Sequence, residues 1–169
     1  EQGCAYRDYA LPEEIQAGLE SFVAVDQRMQ VLYHAGVTLI NDAYNANPSS
    51  CAAALNTCRD FAQQGNRLIV VLGDMLELGS YTEAEHRRLA DHCAAIGVHL
   101  LYLCGAHTLH TLERAREIGG FAAVHFEDKI VLAQALRPLL RKGDVVLIKG
   151  SRGMHMETIV SALMQKTGP

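Results

Sequence analysis

The chain has 169 residues, 49% of them hydrophobic and 20% charged. That balance excludes disordered and fibrous classes and allows a packed domain without disulfide or metal staples. The net charge of -4 is dispersed, which argues against a nucleic-acid or acidic-membrane partner. No apolar run approaches the roughly 18 residues of a spanning helix, and the first residues do not read as a signal peptide. A soluble, cytoplasmic, monomeric protein is the expectation.

In chain order, Leu11-Pro12-Glu13-Glu14-Ile15 followed by Gly18, Leu19 and Phe22 predicts a short helix with Pro12 in its first turn. Nothing upstream could cover its second face, so a boundary is placed near residues 21–26. Met29–Tyr33 and Val37–Ile40, separated by His34-Ala35-Gly36, predict a hairpin. Asn47-Pro48 predicts a helix start, with Ala52, Leu55, Cys58, Phe61 and Ala62 as its apolar stripe. Leu68–Leu72 is an unbroken apolar run suited to a strand covered on both faces. Thr82 with Glu85 suggests a capping box for a helix reaching about Ile96. Further strands are expected at His99–Cys104, Ala122–Phe126 and Val145–Ile148, and further helices at Thr108–Ile118, Lys129–Leu140 and Met154–Met164. Four strands alternating with helices predict an α/β chain. Its sheet is doubly wound and mostly parallel, opened by the hairpin and covered by helices on both faces.

The five cysteines are odd in number and show no CxxC spacing. They read as ordinary thiols in a reducing compartment. The histidines are scattered, and no metal site is expected from them.

In such a sheet, ligands bind beyond the carboxyl ends of the strands, where three polar loops fall. The first, Asn41 to Pro48, is crowded with hydrogen-bonding side chains. An Asx-rich turn with a helix cap accounts for Asn47 and Pro48 but not for Asp42, Tyr44 and Asn45 together. Here Asp42 could accept from ribose hydroxyls. The second loop, Gly73 to Ser80, brackets Asp74 and Glu77 between glycines. It reads more readily as a turn than as a magnesium or substrate site. His86 follows on the next helix, either pointing back into the crevice or solvated. The third loop, Lys149-Gly150-Ser151-Arg152-Gly153, offers two cations and a hydroxyl to a carboxylate or phosphate. It is neither the GxxxxGKS/T phosphate loop nor GxGxxG.

Four motifs in register, GLESF with Arg28-Met29, DAYNANPSS, VVLGDMLELG with His86, and VVLIKGSRGM with Met156-Glu157, resemble the C-terminal domain of the Mur ligase family. The resemblance runs from Leu11 to about Leu163. It implies a Rossmann-like domain over residues 25–169, preceded by the closing helix of a central ATPase domain over residues 1–24. The implied partners are ATP, UDP-N-acetylmuramoyl-tripeptide and D-alanyl-D-alanine. Mg2+ and the phosphate loop are assigned mainly to the central domain, and the fragment alone is expected to be inactive. Carried over by position, Arg28 would reach the nucleotide phosphates and Asp42 the ribose, with Tyr44, Asn45 and Asn47 lining the same pocket. Lys149, Ser151 and Arg152 would face the dipeptide, with Asp74 and His86 as further substrate residues. Gln27 stands where the family has glycine, and His155 where arginine is common. A sibling ligase such as folylpolyglutamate synthase, or a non-catalytic nucleotide-binding or interaction module, are the alternatives.

Overall fold

The computed structural model describes residues 27–62 and 65–165. The predicted helix around Leu11–Phe22, the boundary near residues 21–26 and Cys4 lie outside them. Six strands form one sheet: β1 (Gln30–His34), β2 (Val37–Asp42), β3 (Leu68–Gly73), β4 (Leu100–Cys104), β5 (Ala122–Phe126) and β6 (Val145–Lys149). Their spatial order is β1-β2-β6-β3-β4-β5, and only the β1–β2 pair is antiparallel. The second strand of the hairpin thus joins the parallel sheet, which has five strands rather than the four anticipated. Ala35 and Gly36 close the hairpin at φ 50° and 80°, the left-handed pair that matches a two-residue turn to the twist of its strands.

The helices are α1 (Pro48–Ala62), α2 (Thr82–Ala95), α3 (Thr108–Ile118), α4 (Lys129–Leu136) and α5 (Glu157–Met164). The first three cover one sheet face, where Cys51, Ala54, Leu55 and Cys58 of α1 meet Ile40, Val70 and Leu147. The other two cover the opposite face through Leu132, Leu136, Ile159 and Leu163. Helices thus lie on both faces of a mostly parallel sheet, as the alternation predicted.

Several local expectations are corrected. The buried stripe of α1 begins at Cys51 and omits Phe61, which is exposed. Thr82 is the first residue of α2, not its cap: its hydroxyl donates to Gly79 O, and Glu85 pairs with Arg88. The expected capping box is absent. Helix α4 ends at Leu136 because Pro138 cannot supply the next helical N–H, and the chain continues as a 3-10 turn. The last helix starts at Glu157, after a separate turn over Arg152–Met154 and a left-handed His155. The four described cysteines are all buried and free. Burial raises the Cys51 thiol to about 11 and those of Cys58 and Cys93 to about 12, so all three are poor nucleophiles at neutral pH.

Candidate functional site

The strand order brings the three polar loops side by side, since β6 lies between β2 and β3 and all three point the same way. In the β2–β6 register Asp42 stands opposite Lys149. Lys149 Nζ donates to Asp42 Oδ2 at 2.5 Å and to the Asn45 carbonyl at 2.8 Å, and the lysine is only 2% exposed. The other oxygen, Asp42 Oδ1, accepts from the Met29 N–H at 3.0 Å. Tyr44 N–H donates to Gln27 O. The short turn carrying Arg28 is therefore fastened to the end of β2 from both sides. Gln27 and Met29, which flank Arg28, are left-handed at φ 65° and 49°. The position where glycine was expected is thus one where a side chain is strained.

A cleft of about 390 Å³ opens beside this ion pair. Arg28, Asp42, Tyr44, Asn45 and Asn47, the five residues assigned to a nucleotide from sequence, all line it. Lys149 joins them, although it was expected to serve the dipeptide with the third loop. Ser50, Ala53, Ala54 and Thr57 complete the wall. Their i, i+3, i+4, i+7 spacing marks one face of α1, a signal present in the sequence but overlooked. The Arg28 guanidinium lies 4.2 Å from the Tyr44 ring centre, an attractive cation–π arrangement. Asn47 Oδ1 accepts from the Ser50 N–H at 2.8 Å and so caps α1 as foreseen. Asn45 Oδ1 accepts from the Ala46 N–H.

The second loop is built differently. Asp74 is 4% exposed, and its Oδ1 accepts from the N–H groups of His107 and Thr108 at 3.0 and 2.9 Å. It secures the start of α3. His86 is fully buried. Its Nε2 accepts from the Met75 N–H at 3.1 Å, and its Nδ1 lies 2.8 Å from the Thr82 carbonyl. An accepting Nε2 requires the neutral ring with its proton on Nδ1. Burial lowers the His86 pKa below its ordinary value, against the weaker raising effect of the bond to Thr82. Asp74 and His86, expected from sequence to contact substrate, make these hydrogen bonds within the fold and bind its second loop to α2 and α3. Nor is His86 the solvated helix histidine.

Ser151 of the third loop is also buried. Its hydroxyl accepts from the Leu76 N–H and donates to Ala46 O, while its own N–H reaches Asp74 O. It ties the three loops together. The N–H groups of Met154 and His155 are spent on Ser151 O and Arg152 O. Arg152 alone among the three assigned side chains of this loop is exposed, at 5.3 Å from the Tyr44 ring centre. Beneath the loops, a methyl at Gly73 would stand 2.7 Å from Met156 Sδ, and one at Gly150 would stand 2.6 Å from Met156 Cγ. The fully buried Met156 thus fills the space that both glycines leave.

A polar cleft at the carboxyl ends of parallel strands is the ligand position of this architecture. Residues 27–152 match the family model described as "Mur ligase, glutamate ligase domain". The chain belongs to the Mur ligase family. It is 32% identical over 156 residues to the UDP-N-acetylmuramoyl-tripeptide–D-alanyl-D-alanine ligase of Bacillus subtilis, covering 91% of this chain and 34% of that protein. Against the enzyme of the same name from Escherichia coli the identity is 33%, over 90% of this chain and 33% of the relative. A crystal structure of MurF from Acinetobacter baumannii superposes with a TM-score of 0.79 at 29% identity, covering 93% of this chain and 34% of that one. The Thermotoga maritima MurF ligase, crystallised with ADP, gives 0.70 at 25% identity over 85% and 32%. The chain spans about a third of the length of these Mur ligase relatives.

Proposed function

We propose that the chain is the C-terminal domain, residues 25–169, of an ATP-dependent ligase that joins D-alanyl-D-alanine to UDP-N-acetylmuramoyl-tripeptide. Residues 1–24 would end the preceding ATPase domain, and the protein would work as a monomer in the cytoplasm. The observation that carries this reading is the cleft itself. All five side chains assigned to a nucleotide line it, and a relative of the same fold was crystallised with ADP.

Bound ATP would supply the phosphoryl group that converts the tripeptide carboxylate into an acyl phosphate, from which the dipeptide amine displaces phosphate to form the new amide. Arg28 offers its guanidinium to the phosphates, where developing charge needs a fixed cation. Asp42 accepts from the ribose hydroxyls with the lone pairs that Lys149 and Met29 leave over. Lys149 orients that carboxylate and acts through it. Among the described residues no three Asp, Glu, His or Cys side chains gather as a cation site. In this reading most Mg2+ ligands belong to the central domain, and the ion would there neutralise charge on the phosphates. Of the assigned side chains in the third loop, Arg152 is the exposed one and offers its guanidinium to a ligand.

The test is product formation. Full-length protein with ATP, Mg2+, the UDP-linked tripeptide and D-alanyl-D-alanine should give ADP, phosphate and UDP-linked pentapeptide in equal amounts, whereas residues 1–169 alone should release no phosphate. Arg28→Ala should cost about 2–4 kcal/mol in transition-state stabilisation. Turnover of dihydrofolate with glutamate, without pentapeptide, would move the assignment to a sibling ligase. ATP-independent partner binding without turnover would make the domain an interaction module.

A further inference from the structure

Arg28 and Arg152 are 124 positions apart in sequence, yet their guanidinium carbons lie 4.2 and 5.3 Å from the centre of the same ring, Tyr44. Both arginines are exposed, and neither pairs with a carboxylate among the described residues. The only hydrogen bond joining either to the ring is a long one, Arg152 Nη1 to Tyr44 Oη at 3.5 Å.

Two like charges converging without a counter-ion repel each other unless something offsets the repulsion. The negative face of an aromatic ring does so while leaving guanidinium N–H donors available. The Tyr44 backbone is held by its N–H bond to Gln27 O, just after the Asp42 anchor, so the ring is presented from a fixed point between the two cations.

From this juxtaposition we propose that Arg28 and Arg152 form a two-arginine clamp for one polyphosphate chain, with Tyr44 as the positioning residue between them. The proposal rests on the nucleotide reading of the cleft and deepens it. It also moves Arg152 from the dipeptide carboxylate, its assignment from sequence, to the phosphates. The distances support that move. The two guanidiniums sit against one ring, close enough for a triphosphate to touch both. Bidentate donation suits phosphate oxygens.

The experiment is calorimetric titration of the protein with sodium tripolyphosphate, ATP and adenosine, alongside NMR of the arginine Nε–Hε groups. Arg28→Leu and Arg152→Leu should each weaken tripolyphosphate binding by roughly tenfold or more. Tyr44→Leu should weaken it by a comparable factor through loss of both ring contacts, and Tyr44→Phe should restore most of it. The ring current of Tyr44 should shift both arginine resonances in the wild type and in Tyr44→Phe, and that shift should vanish in Tyr44→Leu. A purely structural role for Tyr44 would not produce this pattern. Tripolyphosphate affinity insensitive to Arg152→Leu, absent from the wild type, or unchanged in Tyr44→Leu would overturn the clamp. Tripolyphosphate held through both arginines, with adenosine unbound and ATP no tighter than tripolyphosphate, would leave the clamp standing and refute the nucleotide reading.

Discussion

Two acid–base pairs sit at the carboxyl edge of the same sheet, and they have opposite fates. Asp42 and Lys149 end neighbouring strands, meet at 2.5 Å and line an open cleft. Asp74 and His86 follow the next strand over, but every contact they make points inward: Asp74 to the first amides of α3, His86 to Met75 N–H and Thr82 O. Residue type and position in the sheet do not separate them. What separates them is the number of orphan backbone groups nearby. The second loop and the start of α3 leave N–H groups that need acceptors, and those two side chains supply them. The first loop meets this need with Asn47, which caps α1, and Asp42 keeps an edge on the cleft.

The sharpest way to break the comparison is to remove one partner of the open pair. Asp42→Ala leaves Lys149 buried and uncompensated, and should cost about 3–5 kcal/mol of stability. Adding Lys149→Met should recover much of that loss in urea unfolding, because the stranded charge is gone. Asp42 is therefore more than a ribose contact, and the kinetics of its alanine variant have to be read on the folded fraction. If the double variant were no more stable than the single one, the buried pairing would be wrong.

The next effect is at the closed pair. Asp74→Ala strips the acceptor from two N–H groups at the start of α3 and should cost about 2–3 kcal/mol. ADP affinity of the folded protein should stay the same, since Asp74 does not line the cleft. A loss of ADP affinity without a loss of stability would return Asp74 to the ligand.

His86 gives a smaller, pH-dependent signature. The folded ring titrates below its ordinary 6.5, chiefly because it is buried. Between the two values the unfolded chain binds more protons than the folded one, so stability falls as pH drops below about 6.5. Protonation would also cancel the lone pair that accepts from Met75. His86→Gln should flatten this limb in unfolding curves measured between pH 7 and 5. An equally steep limb in the variant would assign the acid sensitivity to other groups.

The smallest effect concerns the Arg28 turn. Gln27→Gly relieves a left-handed side chain but loosens the unfolded chain, for a net gain of about 0.5–1 kcal/mol. Thermal unfolding checks it: a lower melting temperature would show that Gln27 is held there by contacts worth more than its strain.

These contrasts also mark what was legible in the sequence. Apolar runs such as Leu68–Leu72, and the Thr108–Ile118 and Ala122–Phe126 segments, declare their elements because period and punctuation agree locally. The grouping of Asp42, Tyr44, Asn45 and Asn47 along one cleft was legible because they lie in one loop, and Arg28 joined them only through a second motif. The Asp42–Lys149 pair was not, because it depends on β6 sliding between β2 and β3, across 107 positions of sequence. The contacts of Asp74 and Ser151 were hidden for the same reason, since Thr108 and Ala46 become neighbours only once the strand order is set. Those of His86 to Met75 and Thr82 are local and depend on how the loop after β3 folds back on α2. Thr82 was misread because a threonine three residues before an acid is equally at home in the first helical turn.

Met156 carries a last consequence. Its side chain occupies the volume that Cβ atoms at residues 73 and 150 would need. The three positions therefore share a single allotment of space, and a gain at one demands a loss at another. Along a lineage descending from this chain, alanine at position 73 is more readily accepted once the methionine has shortened, with the Met154 Cβ at 3.3 Å still to give way slightly. The order of substitution is thereby constrained: trimming Met156 first opens a void, while enlarging Gly73 first meets a wall.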